Sequence, residues 1–298
     1  MRRHRRSAKS VLVRALLIGV FFVGAGCGAQ GDAADEGEPR IDRYLAITDL
    51  KRFTLPLDAY APNLSELLTI GNAENLLFQQ CMQRFGLDIG TPPVLQRSPF
   101  EKNELRYGLT SDERARTLGY RNPEHRAQNQ TPEPTLSPEA MAVAGGTGQG
   151  SYNGLKVPPG GCRGEARQTL AAGTDPAHDG ELVGRLDNEA GQLAERDSRV
   201  RAAFATWSTC MKRSGYDYAD PWRANDDPAF GEAQAVTAQE LATATADVLC
   251  KKEANLVNIW ASVETAYQNR VIAANEPRLQ EEKAAWTVRL SNAASVAG

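Results

Sequence analysis

The five cysteines constrain the fold of this 298-residue chain more than any other feature of its sequence. Cys27 directly follows an apolar stretch, whereas Cys81, Cys162, Cys210 and Cys250 lie far apart. The wide spacing argues against a zinc site, because no two of these cysteines stand two to four residues apart. An even number of distant cysteines in an oxidising compartment implies disulfides, so we expect two bridges.

Residues 1 to 26 have the layout of a bacterial signal peptide. A basic start, MRRHRRSAK, precedes the apolar run ALLIGVFFVGAG, which is too short to cross a bilayer as a helix. The small residues before Cys27 resemble a lipobox, in which the leader is cut ahead of the cysteine and the thiol takes a lipid. We therefore expect a lipidated Cys27 that anchors an exported chain to the outer face of the cytoplasmic membrane. Ordinary cleavage after Ala29, which yields a secreted protein, is the alternative.

Loss of the leader makes the chain acidic, with 28 basic against 37 acidic residues and a net charge of −9. This balance argues against nucleic acid as a partner, because phosphates are bound by clusters of Lys and Arg. Residues 27 to 40 are polar, rich in Gly and acidic, and predict a flexible tether. Residues 41 to 298 are then a single helical domain.

Two short patterns repeat around the cysteines. The run CMQRFGLD at Cys81 parallels CMKRSGYD at Cys210, and CRGEA at Cys162 parallels CKKEA at Cys250. Four cysteines allow three pairings. If each CM unit bonds to the C-[RK]-x-E-A unit that follows it, the bridges are Cys81 with Cys162 and Cys210 with Cys250. The repeats thus indicate an internal duplication of a helical pair closed by a disulfide.

Hydrophobic spacing predicts a mostly α-helical bundle. Apolar residues recur every three to four positions over residues 63 to 85, with Asn63 or Ser65 as the N-cap and Gly86 as the stop. A short helix is expected over residues 111 to 119. No set of segments alternates as β-strands do.

The region after Tyr120 predicts a long loop and then a long helix. Residues 121 to 161, rich in Pro and Gly, predict a long irregular loop. A heptad-like pattern follows over residues 180 to 214, in which Asp197 occupies an interior position, so either the helix bends there or that face is wet.

The C-terminal region has a start signal and a stop signal for helices. Thr237 and Glu240 form a capping-box pattern that opens a helix through Tyr267. Pro277 predicts a break before a final helix. The last residues, SNAASVAG, are expected to fray.

The LPLDAY segment at residues 55 to 60, the CMQRFG and CMKRSGYDYADPW units and the RYG and GY motifs between residues 106 and 120 carry a resemblance. Together with the lipobox-like leader, they resemble uncharacterised exported lipoproteins of high-GC Gram-positive (actinobacterial) bacteria with paired CM-x3-G units. The likeness covers most of residues 50 to 265. It implies export and a lipid anchor, and it carries no established activity, so it assigns no catalytic residue.

One segment after the second CM unit combines aromatic rings with carboxylates. Such a group can stack on a sugar or hold a cation. The alternative is a turn whose aromatics cover the end of the bundle beside the second disulfide. The candidate ligand-binding residues are Tyr216, Asp217, Tyr218, Asp220 and Trp222.

The remaining polar candidates do not form a recognised site. The pairs Asp226-Asp227 and Glu281-Glu282 are interpreted as solvated surface charge. The glycines between residues 145 and 154 lack the GK[ST] sequence of a phosphate loop and predict a mobile loop. The sequence therefore predicts no metal, no cofactor and no catalytic residue.

Histidines are too few for most histidine chemistry. Once the leader is removed, only His125 and His178 remain, both in segments that predict loops, so a multi-histidine metal site is excluded within one chain. Tyr107 and Tyr120 are open to the same two interpretations as the aromatic segment: ligand contact or packing.

Two functions from different classes remain, and a purely structural spacer without a persistent pocket is a third possibility. The first is a non-catalytic binding or interaction module of the cell envelope that contacts a cell-wall component or an envelope protein. The second is a cell-envelope hydrolase with carboxylate acid/base chemistry, which requires two carboxyl groups facing a cleft. The sequence does not decide whether the chain is an enzyme, and it favours the first, non-catalytic function.

Overall fold

A computed structural model of the chain describes residues 37–90, 94–98, 100–121, 136–148, 150–178, 180–231 and 235–297. Within these residues the protein is mostly α-helical, which confirms the predicted fold class. The helices are α1 (Leu64–Arg84), α2 (Asp112–Thr117), α3 (Pro138–Gly145), α4 (Gly161–Leu170), α5 (Leu182–Arg196), α6 (Ser198–Arg213), α7 (Pro221–Asn225), α8 (Pro228–Gly231), α9 (Ala238–Glu253) and α10 (Leu256–Ala297). A 3-10 helix, Pro56–Tyr60, precedes α1, and an antiparallel hairpin of β1 (Ser151–Tyr152) and β2 (Leu155–Lys156) follows α3.

The long helix α10 organises the fold. Its 42 residues extend for about 63 Å, and it packs against α1, α5 and α6. The main hydrophobic core surrounds Trp207 of α6 and Trp260 of α10, and both side chains are buried. A smaller core joins α1, α3 and α4 around the first disulfide.

An arm formed by residues 38 to 60 lies along α10 and is held by side chains of that helix. Its first residues bond to α6, where Glu38 accepts from the Ser198 hydroxyl, so the tether predicted for residues 27 to 40 is wrong at its end. The predicted leader, Cys27 and the rest of the tether up to residue 36 lie outside the described residues. Backbone N–H groups of the arm donate hydrogen bonds from Leu45 to Ser262 Oγ at 2.7 Å, from Ile47 to Asn258 Oδ1 at 2.9 Å and from Leu57 to Gln268 Oε1 at 2.9 Å. Because these polar groups belong to an irregular segment, α10 supplies the partners that a neighbouring strand would otherwise provide.

Both expected disulfides are present. Cys81 of α1 is bonded to Cys162 of α4, and Cys210 of α6 is bonded to Cys250 of α9. The pairing that the repeated sequence units predict is therefore confirmed. Each bridge ties together two helices that lie far apart in the chain.

The two disulfide units are alike beyond the cysteines themselves. In each unit the residue three positions after the first cysteine is an arginine that pairs with the glutamate three positions after the second cysteine. These ion pairs are Arg84 with Glu165, at 2.7 Å, and Arg213 with Glu253. The same side chains in the same places support the duplication.

The ends of the two first helices also match. Gly86 and Gly215 follow α1 and α6 with φ of 72° and 90°, a conformation that favours glycine. In each case the next N–H donates to the carbonyl of a buried methionine five residues back: Leu87 to Met82 at 3.1 Å and Tyr216 to Met211 at 2.9 Å. The chain therefore leaves both helices in the same way.

The predicted loop over residues 121 to 161 is wrong in its second half. There the chain forms α3, the hairpin and the start of α4, while residues 122 to 135, including His125, lie outside the described residues. Ser137 caps α3 by accepting a hydrogen bond from the Ala140 N–H, and the Asn153-Gly154 turn closes the hairpin. The glycine-rich run that predicted a mobile loop therefore supplies turns between short helices and strands.

The predicted helix over residues 180 to 214 is two helices. Asp197, at φ −60° and ψ 139°, leaves helical geometry and accepts a hydrogen bond from the Arg199 N–H as the N-cap of α6. Of the two alternatives for this buried acid, the bend is the one that is present.

Three predictions about the C-terminal region are wrong. The helix that starts after Thr237 ends at Glu253, because Asn255 adopts a left-handed φ of 50°. Pro277 does not break α10, whose next turn is fixed by the fully buried Leu279. The last residues do not fray before Ala297, since Ala293 is buried beneath α1 and α4. Tertiary packing outweighs the local signal in the last two cases.

Two glycines allow α3 and α4 to approach closely. Gly146 follows α3 and Gly161 begins α4, and a Cβ on Gly161 would lie 2.3 Å from the Gly146 nitrogen and 2.4 Å from the Val143 carbonyl oxygen. Because backbone atoms cannot move aside, we expect Gly161→Ala to lower the free energy of unfolding by about 2–3 kcal/mol in urea denaturation. Gly184→Ala in α5, where nothing lies within 4 Å of the added carbon, is the control and should be neutral or stabilising. Equal losses in both variants would contradict the close approach.

Candidate functional site

The segment after α6 turns back along that helix. The Ser208 hydroxyl of α6 donates to the Tyr218 carbonyl at 2.6 Å, and the Asp220 carboxylate then caps α7 by accepting from the Arg223 N–H at 3.0 Å. Pro221 occupies the first position of α7, where its missing N–H costs nothing. Two local signals, a helix stop and a helix start, thus place the aromatic segment at the surface.

An open cavity of about 610 Å³ lies at this place. Its lining residues are Tyr218, Asp220, Trp222, Arg223, Asp226, Asp227 and Pro228. We call it the acidic pocket. Three of the five predicted binding residues line it, together with four neighbours that the segment alone did not indicate. The two acids after α7 were detectable as a pair in the sequence, but not as part of one concave surface.

Two of the predicted residues lie outside the acidic pocket. Tyr216 packs against the main core. Asp217 is exposed and lies 3.2 Å from the Lys212 ammonium. Although Tyr216 and Asp217 are neighbours of the pocket residues in the sequence, they do not line the same cavity.

Trp222 belongs both to the pocket and to the core. Its indole N–H donates to Glu195 Oε1 at 3.0 Å, and its ring meets Trp260 edge to face with centroids 5.5 Å apart. The ring is half-buried, so one part supports the bundle while another lines the cavity. Packing and ligand contact, the two interpretations of this aromatic, are compatible here.

The acidic pocket contains charged side chains that form no ion pair among the described residues, unlike most buried acids of the protein. Among the described residues, no basic side chain lies within ion-pair distance of Asp220, Asp226 or Asp227. In the same residues, no acidic side chain lies within that distance of Arg223. The Tyr218 hydroxyl donates to Asp227 Oδ2 at 2.6 Å, and burial together with this acceptor raises the pKa of Tyr218. Three carboxylates against one guanidinium give the cavity a negative potential that attracts cations.

The first disulfide unit provides an internal comparison for this segment. After Gly86 the chain reads LDIGTPP, and after Gly215 it reads YDYADPW. Aliphatic Leu87 and Ile89 stand where the second unit has two tyrosines. The shared way of leaving the helix therefore does not require the aromatic rings, which are particular to the second unit.

Most buried carboxylates are used inside the fold. Glu264 accepts from Arg106 Nε at 2.8 Å and from the Tyr107 hydroxyl at 2.9 Å, and Asp187 accepts from Arg106 Nη2 at 2.7 Å. Tyr107 is fully buried in this network, so packing is its role. An ion pair that closes on itself in the interior is not available to a substrate.

Two further buried acids lie near α9. Asp247 accepts from Lys251 Nζ at 3.0 Å and from the Trp207 indole at 2.9 Å. Glu240 accepts from Arg121 Nε at 2.8 Å instead of closing the predicted capping box. Tyr120 stacks on Phe230 at a centroid distance of 5.7 Å, which is a packing role.

Asp197 offers a pH-dependent test of one such ion pair. Burial on its own raises the pKa of this carboxyl, but hydrogen bonds from the Arg199 side chain and N–H outweigh it, and the pKa lies below its usual value. A lowered pKa adds stability above the unfolded-state value, and this stability is lost as the pH falls through the folded-state value. We expect Asp197→Asn to lower the free energy of unfolding by about 1.5–3 kcal/mol at pH 7 and by much less near pH 2.5.

The control for this prediction is Asp42, which forms the same kind of pair with an arginine two positions away. The Arg40–Asp42 pair is 2.9 Å long, with side chains 90% and 82% exposed. Asp42→Asn should change the stability by less than about 0.5 kcal/mol at either pH. A loss for Asp197→Asn that did not depend on pH would show that the pairing is not its source.

The interpretation of Glu281-Glu282 as surface charge is correct for Glu281 and wrong for Glu282. The Glu282 side chain is 1% exposed, because α10 turns it beneath the segment that joins α4 to α5. His178 of that segment lies against both glutamates. The sequence spacing alone did not distinguish the buried member from the exposed one.

A second cavity, of about 460 Å³, lies between the arm and the junction of α9 with α10. Lys51, Lys251 and Lys252 reach it, but each pairs with an acid: Glu104, Asp247 and Asp112. Its charges are therefore balanced, and the acidic pocket is the better candidate for a charged ligand.

The described residues contain no cluster of three or more His, Cys, Asp or Glu side chains that could hold a metal ion. In the same residues no helix has the length and apolar character needed to cross a membrane. Two disulfides are typical of a chain that matures in an oxidising, extracytoplasmic environment. Comparison of the chain with protein-family models, with curated proteins and with solved structures gives no match.

Proposed function

We propose that the protein is a non-catalytic binding module of the bacterial cell envelope, held outside the cytoplasm by a lipid on Cys27, that takes a cationic group in the acidic pocket. The observation that carries this proposal is a set of three carboxylates beside Tyr218 and Trp222 in one cavity, which accept hydrogen bonds but have no ion-pair partner among the described residues. Carboxylates attract a cation over distance, and ring faces hold it at contact. A cationic cell-wall component or a basic segment of an envelope protein has this chemistry.

The way in which the protein uses charge elsewhere supports this assignment. Apart from Glu282, the buried acids among the described residues are paired with Arg or Lys, as in the Arg106 and Lys251 networks. Carboxylates that share one concavity without an ion-pair partner repel one another, even where each also accepts a local hydrogen bond, and this repulsion has a cost. Ligand binding supplies a reason for that cost.

Choline is a suitable probe, because its uncharged isostere 3,3-dimethyl-1-butanol has the same shape. Titration followed through the Trp222 indole N–H signal in NMR spectra should show saturable binding of choline and at least tenfold weaker binding of the alcohol. Asp226→Asn should weaken choline binding by about three- to tenfold, which corresponds to 0.7–1.4 kcal/mol for one partly solvated charge.

The matched control is Asp217→Asn, a change of the same kind in the same segment but outside the cavity. It should leave the affinity within twofold of the wild type. Equal binding of choline and the alcohol, or equal losses in both variants, would rule out a cation site in the acidic pocket.

A cell-envelope hydrolase that uses the same carboxylates is the alternative. Such an enzyme keeps one carboxyl neutral by apolar burial so that it can act as an acid. Asp226 is exposed and Asp220 and Asp227 are half-buried, which favours binding over acid catalysis. Hydrolysis of a cell-wall fragment that is lost in both Asp226→Asn and Asp227→Asn would favour the enzyme.

The anchor is tested separately from the pocket. Intact mass of protein extracted from membranes should correspond to a chain that begins at an acylated Cys27. A mass for a chain that begins at Gln30 would instead indicate ordinary cleavage and a secreted protein, as would recovery in the medium. Neither result bears on ligand binding.

A further inference from the structure

The second cavity, between the arm and the junction of α9 with α10, combines an aliphatic lining with polar groups. We call it the arm cavity. Its volume of about 460 Å³ lies within the range of small-molecule pockets. Residues 47 to 51 of the arm form one side of it, and α9 and α10 form the other. The aliphatic lining, which can contact the apolar face of a ligand, consists of Ile47, Leu50, Val248 and Val257.

The charged groups of the arm cavity already have counter-charges. Its three lysines are each paired with an acid. Of its two lining acids, Glu104 is the partner of Lys51, and Asp49 lies 3.8 Å from Arg52. A charged ligand would have to displace one of these pairs or lose its own hydration without compensation. The arm cavity therefore favours an uncharged ligand.

Neutral polar groups of the same lining are not used by the fold. Among the described residues, the hydroxyls of Thr48 and Thr110 have no hydrogen-bond partner. Each hydroxyl can donate one hydrogen bond and accept two. The arm cavity thus offers both donors and acceptors that carry no charge.

Asn255 adds an amide whose orientation is fixed by its neighbours. Asn258 Oδ1 accepts from the Ile47 N–H at 2.9 Å, so the Asn258 amide nitrogen is the atom that donates to Asn255 Oδ1 at 2.7 Å. The Asn255 side-chain NH2 then has no partner among the described residues. It is left with two N–H donors at the lining of the cavity.

Lys251 adds a donor whose charge is already neutralised. Its side chain is 3% exposed, and its ammonium donates to the Leu109 carbonyl at 2.8 Å and to Asp247 Oδ2 at 3.0 Å. An ammonium has three N–H groups, and the third has no partner among the described residues. Because Asp247 balances the charge, this N–H suits a hydroxyl oxygen better than a second carboxylate.

We propose that the arm cavity binds an uncharged polyhydroxylated molecule, a sugar or a polyol. Hydroxyl groups of the ligand bond to Thr110, Asn255 and Lys251, and its C–H face contacts the aliphatic lining. Hydroxyls donate and accept, which matches the mixture of groups that the fold leaves unused. The site is independent of the acidic pocket, since no described residue lines both cavities.

Probes that share one ring and differ in charge test the proposal. Glucose is neutral, glucosamine is a cation at about pH 6 and glucuronate is an anion, and myo-inositol is a second neutral probe. In titrations of the full chain, followed through the Thr110 and Asn255 signals in NMR spectra, glucose or myo-inositol should give saturable shifts. The charged probes should bind at least about fivefold more weakly than the better neutral probe, because their charge loses hydration without gaining a partner.

Asn255→Asp is the most informative variant. Asn255 has a left-handed φ of 50°, which Asp also tolerates, and Asp keeps the acceptor for Asn258 while it replaces the free NH2 with a charged oxygen. Binding of the neutral probe should weaken about three- to tenfold. The matched control is Asn153→Asp, the same change at a residue with φ of 48° in the hairpin outside the cavity. It should bind within twofold of the wild type.

Thr110→Val provides a second variant, because it removes a hydroxyl and keeps the shape of the side chain. It should weaken binding about threefold, whereas Thr209→Val on the exposed face of α6 should have no effect. Absence of saturable shifts with both neutral probes, equal or tighter binding of a charged probe, or equal losses in Asn255→Asp and Asn153→Asp would overturn the proposal. If Thr110→Val fails to fold by circular dichroism, the comparison of the two Asp variants still decides.

Discussion

Replacing Arg106 with methionine should lower the free energy of unfolding by about 3–5 kcal/mol, one of the largest effects expected in this protein. Arg106 joins Glu264, which is buried, with Asp187, which is partly buried. Without the guanidinium, two carboxylates face each other and the Tyr107 hydroxyl with no counter-charge. Chemical denaturation at pH 7 measures the loss.

The control for Arg106→Met is Arg185→Met. Arg185 forms an exposed pair with Glu181 at 3.3 Å, one turn away on the surface of α5. Such pairs contribute little, so the stability should change by less than about 0.5 kcal/mol. If Arg106→Met cost no more than this control, the interior network would not hold the segment before α2 to α5 and α10. Adding Glu264→Gln to Arg106→Met should recover part of the loss, because it removes one uncompensated charge.

Removal of the second disulfide should have an effect of similar size. The Cys210–Cys250 bridge closes a loop of 40 residues, and the chain-entropy relation gives about 4 kcal/mol for Cys210→Ser with Cys250→Ser. Because the bridge lies in the main core beside Trp207, the whole of that core should unfold at lower denaturant. Urea denaturation of the oxidised wild type and the double variant measures the difference.

The first disulfide is the internal comparison. Cys81–Cys162 closes 81 residues, for which the same relation gives about 4.5 kcal/mol, but it lies in the smaller core formed by α1, α3 and α4. We expect its removal to expose this smaller core first and to give a broader transition. Equal and fully cooperative losses for both double variants would show that the two cores unfold as one unit.

Several features of the fold follow from the sequence alone because they depend on neighbours in the chain. Asn63 caps α1 with its side chain, Gly86 and Gly215 end helices, and Thr237 caps α9, each through hydrogen bonds that span a few residues. The disulfide pairing was also predictable, because a duplicated unit repeats its internal contacts. In these cases the interactions that decide the structure are local, or they are repeated within the chain.

The candidate site was predictable only in part. The sequence indicated Tyr218, Asp220 and Trp222, because aromatics beside acids after a helix stop are exposed by local geometry. It did not separate them from Tyr216 and Asp217, which lie outside the cavity. Tyr216 packs against the main core, and Asp217 pairs with Lys212 of α6. Adjacent residues share a segment, but a cavity is formed by the surfaces that surround it.

Tertiary structure alone decided which charges are interior. The sequence gives no sign that Glu240, Glu264 and Glu282 are buried, yet a distant segment covers each of them. Arg106 reaches Glu264 across 158 positions of the chain, and His178 reaches Glu282 across more than a hundred. The sequence by itself therefore determined the helices, their caps and the two bridges. The folded structure decided where acids lack a permanent counter-charge, because the cost of burying a charge depends on groups that only folding brings together.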